Sequence, residues 1–137
     1  MNDITTSVTP EILTKKRILI VEDDPFLGKI LLDRLQAVGA ETTLIDRGDT
    51  AWVEIQKTSP EAILLDIQLP AMDGFQILEA MRANDGTKNI PVIIISNFNQ
   101  PKDEERGAKL GAQYLVKALV TPDDIVEAVR KLFISSN

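Results

Sequence analysis

ILLDIQLPAMDG, residues 63–74, is the strongest structural pattern in this sequence. It begins with three apolar residues, a run too short for a helix but suited to a strand that is buried on both faces of a parallel sheet. Asp66 follows directly and is expected at the exit of that strand, because a carboxylate is costly to bury without a partner. Pro70 then breaks the chain, and Asp73 followed by Gly74 is typical of a turn that opens a helix. The stretch therefore predicts one acid at the edge of a sheet, with a tight loop around it.

Length and composition indicate one globular domain. The chain has 137 residues, of which 44% are hydrophobic and 26% are charged. Its net charge of −6 argues against a nucleic-acid surface. It contains no cysteine and no histidine, which excludes thiolate and imidazole metal ligands and a phosphohistidine on this chain. With no apolar run near the ~20 residues of a membrane span and no signal-peptide pattern, we expect a cytoplasmic protein without membrane contact.

Short apolar runs alternate with amphipathic segments along the chain. Strands are predicted at residues 17–21, 41–46, 63–65, 91–95 and 112–116, and helices begin near residues 25, 48, 74, 101 and 122. This alternation predicts an α/β fold, a parallel sheet covered by helices on both faces. The inner face of the first helix is expected to include Phe26, and Trp52 is expected to pack against the sheet. Residues 1–15 are interpreted as a flexible leader, 16–134 as the domain and 135–137 as a short tail.

Polar side chains follow four of the predicted strands. Glu22 and Asp23 follow the first strand, Asp66 the third, Ser96 the fourth and Lys117 the fifth. In an open parallel sheet, ligands bind outside the carboxyl ends of the strands. If the first and third strands are neighbours, their acids converge, and two such charges 4 Å apart repel by about 4 kcal/mol at an effective dielectric near 20. A hard divalent cation such as Mg²⁺ would compensate for this repulsion.

This set of side chains suits phosphoryl transfer. Asp66 can act as the nucleophile that forms an aspartyl phosphate. Asp23, with Glu22, would support the metal, while Lys117 and Ser96 would stabilise the charge on the phosphoryl oxygens. Asp24, by contrast, is interpreted only as the cap of the first helix.

Four motifs together resemble the receiver domains of bacterial two-component response regulators. They are RILIVEDDP (17–25), LLDIQLPAMDG (64–74), PVIIIS (91–96) and GAQYLVK (111–117), and the resemblance covers about residues 16–133. It implies a flavodoxin-like fold with five parallel strands in the order 2-1-3-4-5 and five helices on both faces. It also implies a phosphoryl acceptor with its own self-phosphorylation and autodephosphorylation chemistry, and not an enzyme that turns over a separate substrate.

The resemblance also implies roles for the residues at the sheet edge. Asp66 would be phosphorylated by a sensor histidine kinase or a histidine phosphotransfer protein, with Mg²⁺ or Mn²⁺ required. The metal ligands would be Asp23, Asp66 and the backbone carbonyl of Gln68, with Glu22 acting through water.

A conformational switch is implied as well. The residue at the Ser96 position would move with the phosphoryl group, and the aromatic ring of Tyr114 would turn inward. The face formed by the fourth helix, fifth strand and fifth helix would then change for a downstream protein partner, or the phosphoryl group would pass onward.

The chain departs from the family pattern near the site. Lys117 is followed by Ala118 where the family has Lys-Pro with a cis bond, and because a non-proline cis bond costs roughly 2.5–4 kcal/mol we expect trans. The loop at 118–121 is about one residue longer than usual. Asn97 is expected to narrow access to the site, and Phe98, with Gln68, is hypothesised to slow loss of the phosphoryl group.

The sequence also allows alternative functions and a different domain organisation. Only residues 134–137 follow the last helix, so we expect a stand-alone receiver, as a monomer or a weak phosphorylation-linked dimer; a cut from a longer regulator is the other possibility. A phosphatase with an Asp nucleophile commonly has a second acid two residues later, where this chain has Gln68. A flavin carrier would need a Ser/Thr/Gly-rich loop after the first strand, where acids stand. A receiver-like module that binds partners without phosphorylation is kept open by Ala118.

Overall fold

The apolar runs form a five-stranded parallel sheet in the computed structural model, which describes residues 11–134. The strand order is β2-β1-β3-β4-β5, which confirms the predicted order. The strands are β1 (Arg17–Val21), β2 (Glu41–Ile45), β3 (Ala62–Asp66), β4 (Val92–Ser96) and β5 (Gln113–Val116). The helices are α1 (Pro25–Ala37), α2 (Gly48–Thr58), α3 (Gly74–Arg82), α4 (Pro101–Lys109) and α5 (Pro122–Ile134). None of the described helices has the length and apolar character needed to cross a bilayer.

Alternation along the strands divides the core between the two faces of the sheet. In β1, Ile18 and Ile20 pack with residues of α1 and α5, whereas Leu19 and Val21 pack with residues of α2 and α3. Every residue of β3 and β4 is buried, as expected for central strands covered on both sides. Trp52 is half-buried against the α2–α3 side, as expected. The helices thus fix the central strands firmly and leave their carboxyl ends at one exposed edge.

A helix cap sets the start of α1, directly after β1. The Asp24 carboxylate accepts a hydrogen bond from the Phe26 backbone N–H at 3.0 Å, with Pro25 in the first turn, which is the cap role the sequence indicated. The expectation that Phe26 lies on the inner face of α1 is wrong, because its side chain is 77% exposed. The buried stripe runs through Leu31 and Leu35, and Phe26 lies about 140° around the helix from Leu31 at 100° per residue.

Residues 11–15 differ from the flexible leader that the sequence suggested. Leu13 is fully buried in the core on the α1–α5 side of the sheet. The Lys15 N–H donates to the Gly39 carbonyl at 2.8 Å, and the Glu11 carboxylate accepts three hydrogen bonds from Arg130 of α5 at 3.1, 3.3 and 3.1 Å. We call residues 11–15 the N-terminal clamp, because they join the end of α1 to α5. Residues 1–10 and the tail at 135–137 lie outside the described residues.

Candidate functional site

Adjacent strands bring three carboxylates to one point of the sheet edge. β1 and β3 pair directly, with Val21 opposite Leu65, so the acids that follow leave the sheet side by side. Glu22, Asp23 and Asp66 each offer an oxygen within 4.8 Å of the others. The Glu22 and Asp66 side chains are buried, while Asp23 is exposed. The site is therefore an acidic pocket that is open to solvent on the Asp23 side.

A single lysine pairs with both buried acids. Lys117 leaves the end of β5, and its Nζ lies 2.9 Å from Glu22 Oε1 and 3.1 Å from Asp66 Oδ2. Its side chain is only 14% exposed, so water screens these ion pairs weakly. One ammonium therefore faces three carboxylates, and the pocket carries excess negative charge.

Burial and the neighbouring acids both change the protonation of the site in the absence of a cation. Burial, followed by the side-chain hydrogen bond with Asp66, raises the pKa of Glu22 to about 7. Burial and then Asp66 also raise the pKa of Asp23. Burial disfavours the charged form of Lys117, but Glu22 and Asp66 outweigh this and raise the pKa of the lysine. These directions are those expected of a cluster with too few positive charges.

The donor set fits a hard divalent cation. All three side chains offer oxygen, which Mg²⁺ and Mn²⁺ prefer, and Mg²⁺ commonly takes only one or two carboxylates and completes its shell with water. Gln68, whose backbone carbonyl is a predicted ligand, lies two residues after Asp66, and its N–H donates to Asp66 Oδ1 at 3.3 Å. Its side chain is exposed. A cation here would relieve the repulsion that raises the pKa values of Glu22 and Asp23.

Two glycines shape the loop that follows Asp66, and neither was predicted from the sequence as a site residue. The Gly74 N–H donates to the Ile67 carbonyl at 2.9 Å, and a Cβ at Gly74 would overlap the backbone carbonyl of Asp66. A Cβ at Gly48 would likewise overlap the carbonyl of Met72 in the same loop. Ala71 takes a φ of 71°, a left-handed conformation that is costly for a residue with a Cβ. The only signal in the sequence was the turn-forming Asp73-Gly74 pair.

Ser96 and Tyr114 are both tied to the backbone of Phe98. Ser96 is fully buried at the end of β4, one residue beyond the pairing of Ile95 with Asp66. The Phe98 N–H donates to Ser96 Oγ at 3.0 Å, and the Tyr114 hydroxyl donates to the Phe98 carbonyl at 2.9 Å. The two predicted switch residues therefore meet at one peptide segment.

Exposed residues follow β4 and β5 at the same edge of the sheet. Phe98 is 37% exposed, and Asn97 beside it is also exposed. No cis peptide bond occurs within residues 11–134, so the Lys117–Ala118 bond is trans, as expected from the missing proline. A short 3-10 turn, Lys117–Leu119, follows β5 and leads into α5.

Comparison with known proteins identifies the family. The model of the response regulator receiver domain matches residues 18–130, and the chain therefore belongs to that family. It is a receiver domain of two-component response regulators, a class that interacts with sensor histidine kinases and downstream targets.

Relatives support the same assignment. The chain is 34% identical over 116 residues to the transcriptional regulatory protein BaeR of Escherichia coli O6:H1, covering 85% of this chain and 47% of BaeR. It is 32% identical over 117 residues to the gliding motility regulatory protein of Myxococcus xanthus, covering 85% of this chain and 15% of that protein. The chain thus spans about half or less of the length of these relatives. The signal receiver domain of a signal transduction histidine kinase from Syntrophus aciditrophicus superposes with a TM-score of 0.75 at 28% identity, covering 85% of this chain and 88% of that one.

Proposed function

We propose that this chain accepts a phosphoryl group on Asp66 from a phosphohistidine of a sensor histidine kinase or histidine phosphotransfer protein. A carboxylate oxygen of Asp66 forms a bond to phosphorus while the P–N bond to the donor imidazole breaks, and the released imidazole takes up a proton. The observation that carries the proposal is the position of Asp66, a carboxylate at the sheet edge within 4.8 Å of two further acids and 3.1 Å from Lys117 Nζ. The chain would be a signalling acceptor and not an enzyme that turns over a separate substrate.

The other residues of the pocket stabilise the charge that moves. Lys117 is already paired with Asp66 Oδ2 and would contact phosphoryl oxygens. The Ser96 hydroxyl would donate a further hydrogen bond after it gives up the bond from Phe98 N–H. Asp23, Asp66 and the Gln68 carbonyl would hold Mg²⁺ or Mn²⁺, with Glu22 acting through water, and the cation would neutralise phosphoryl oxygens.

The response would reach partners through the face formed by α4, β5 and α5. Phosphorylation adds about −1.5 to −2 charges beside Lys117 and the cation. New contacts of Ser96 and inward packing of Tyr114 would replace their present bonds to Phe98 and shift this face. The result would be binding of a downstream protein or onward phosphoryl transfer, by a monomer or a weak phosphorylation-linked dimer.

Intact mass measurement after incubation with acetyl phosphate and Mg²⁺ tests the chemistry. The wild type is expected to gain the mass of one phosphoryl group, and Asp66→Asn is expected to gain none. Asp24→Asn is the matched control, because Asp24 is a nearby acid that only caps α1 and Asn caps equally well. Removal of the metal with EDTA is expected to abolish the adduct in every variant. A wild type that gains no phosphoryl group with either Mg²⁺ or Mn²⁺ would instead favour a partner-binding module that works without phosphorylation.

Phe98 is proposed to protect the aspartyl phosphate from water. Phe98→Ala is expected to shorten the lifetime of the phosphorylated protein by roughly three- to ten-fold, which corresponds to about 1 kcal/mol in the barrier. The lifetime is measured by intact mass after removal of acetyl phosphate. Asn99→Ala, in the same loop, is the control and should leave the lifetime unchanged. Equal lifetimes for Phe98→Ala and the wild type would remove Phe98 from this role.

A further inference from the structure

Helix α4 contributes almost nothing to the hydrophobic core. Of its nine residues, Pro101–Lys109, only Gly107 is buried. By contrast, α3, which has the same length, buries Phe75, Ile77, Leu78 and Met81 as well as its first glycine. Because helical stability in proteins comes mainly from packing of an apolar face, α4 must be held by other contacts.

Close backbone approach supplies one of these contacts. A Cβ at Gly107 would lie 2.9 Å from Ile94 Cδ1 and 3.2 Å from Tyr114 Cδ2. At Gly107 the helix backbone therefore rests on the side chains of Ile94 and Tyr114. Such a contact fixes the distance of α4 from the sheet but buries little apolar area, so it holds the helix weakly.

Arg106 supplies a second contact, and it joins α4 to α3. Its guanidinium carbon lies 4.2 Å from the centroid of the Phe75 ring, a cation–π geometry. Its Nη2 also donates to Glu79 Oε2 at 2.9 Å, one turn further along α3. We call these contacts the Arg106 bridge.

The α3 end of the bridge is anchored at the phosphoacceptor loop. Phe75 is 4% exposed and directly follows Gly74. Gly74, in turn, packs against the backbone carbonyl of Asp66 and donates to the Ile67 carbonyl. A displacement of the loop after Asp66 would therefore move the ring on which Arg106 stacks.

We propose that Arg106 is a positioning residue that ties α4 to the start of α3, so that the position of α4 depends on the loop around Asp66. The tie itself is present in the unmodified protein. Its use as a route for the phosphorylation signal rests on the proposed function.

Hydrogen exchange of the full chain tests the tie without phosphorylation. Arg106→Gln is expected to raise exchange of the amides of residues 105–112 about five-fold, the combined effect of one cation–π contact and one exposed ion pair on local opening. Lys102→Gln is the matched control, since Lys102 lies on the same helix and makes no ion pair within the described residues. Glu79→Gln should give a smaller increase than Arg106→Gln, because the stacking on Phe75 remains.

The comparison of these variants decides the proposal. If exchange in Arg106→Gln equals that in Lys102→Gln, Arg106 does not hold α4 and the proposal is wrong. A uniform increase in β1 and α5 as well would indicate global destabilisation and would also contradict a local tie. Phe75→Leu, which keeps an apolar side chain but removes the ring face, should reproduce much of the Arg106→Gln effect on α4.

A second arm tests the coupling to Asp66. With acetyl phosphate and Mg²⁺, the change in exchange of α4 on phosphorylation should be at least halved in Arg106→Gln relative to wild type and Lys102→Gln. Intact mass of the same samples reports occupancy of Asp66. Absence of any adduct would contradict the proposed function but would leave the exchange result on the unmodified protein intact. Full phosphorylation of Asp66 with the same change in α4 exchange in all three proteins would overturn the coupling.

Discussion

Lys117→Met is expected to slow phosphorylation of Asp66 from acetyl phosphate by about a hundredfold or more. The loss follows from removal of a preorganised charge that contacts the reacting carboxylate, an effect typically of about 10²–10³ in rate. Lys117 Nζ lies 3.1 Å from Asp66 Oδ2, and methionine has similar length without the charge. Rates of adduct formation are measured by intact mass at saturating Mg²⁺. Lys102→Met, on the exposed surface of α4, is the control and should keep the wild-type rate.

Stability measurements separate this chemical role from a structural one. Lys117→Met leaves Glu22 and Asp66 buried without a cationic partner, and breaking such a pair costs about 3–5 kcal/mol of unfolding free energy. Adding Glu22→Gln to Lys117→Met removes one uncompensated charge and should recover part of that loss, as should Mg²⁺. The phosphorylation rate should stay low in the double variant, well below that of Glu22→Gln alone, which accounts for any loss of metal support by Glu22. Recovery of the rate together with stability would show that Lys117 acts only by holding the site together.

The positions of the site acids followed from the sequence because they depend on strand exits. Apolar runs identify where parallel strands end, and the carboxyl ends of such strands share one edge of the sheet. Glu22, Asp66 and Lys117 each come directly after such a run. The acids meet once β1 lies next to β3, and Lys117 reaches them from β5, which β4 separates from β3. The cap role of Asp24 was equally local, since it depends on the following Pro25 alone.

The features that the sequence did not reveal depend on contacts between distant segments. Phe26 is a large apolar residue of a type that is usually buried, but the rotation of α1 against the sheet determines which of its residues face the core. Gly48 is constrained by the Met72 carbonyl, which lies in another loop. Leu13 lies beside Ile12 in an otherwise polar stretch, and no periodic pattern shows which of the two is buried. In each case the burial or the backbone constraint depends on a residue that is far away in the chain or on another element. The spacing of residue types along the sequence does not reveal such contacts.

Leu13→Ala is expected to lower the free energy of unfolding by about 3 kcal/mol, because truncation of a fully buried leucine costs about 2–5 kcal/mol. Urea denaturation of the full chain measures the change. Ile12→Ala is the matched control: Ile12 is the neighbouring residue, is 38% exposed, and should cost less than about 1 kcal/mol. Small and equal losses for both variants would mean that residues 11–15 do not pack on the domain in solution, and that the flexible leader extends to residue 15.

The polar half of the N-terminal clamp makes its contribution dependent on pH. The hydrogen bonds from Arg130 lower the pKa of Glu11 below its ordinary value of 4.5. Since the carboxyl is more acidic in the folded than in the unfolded chain, its stabilisation is fully present above pH 4.5 and is lost as the pH falls through the folded value. Glu11→Gln should therefore lower the free energy of unfolding by at most about 1 kcal/mol at pH 7, as for a partly exposed pair, and by progressively less below pH 4.5.

Glu105→Gln is the control. Glu105 is an exposed acid on α4 with no ion-pair partner within residues 11–134, so this variant should match the wild type in free energy of unfolding across the same pH range. If Glu11→Gln lowers the free energy of unfolding equally at pH 7 and well below pH 4.5, the Glu11 charge does not hold the N-terminal clamp to α5.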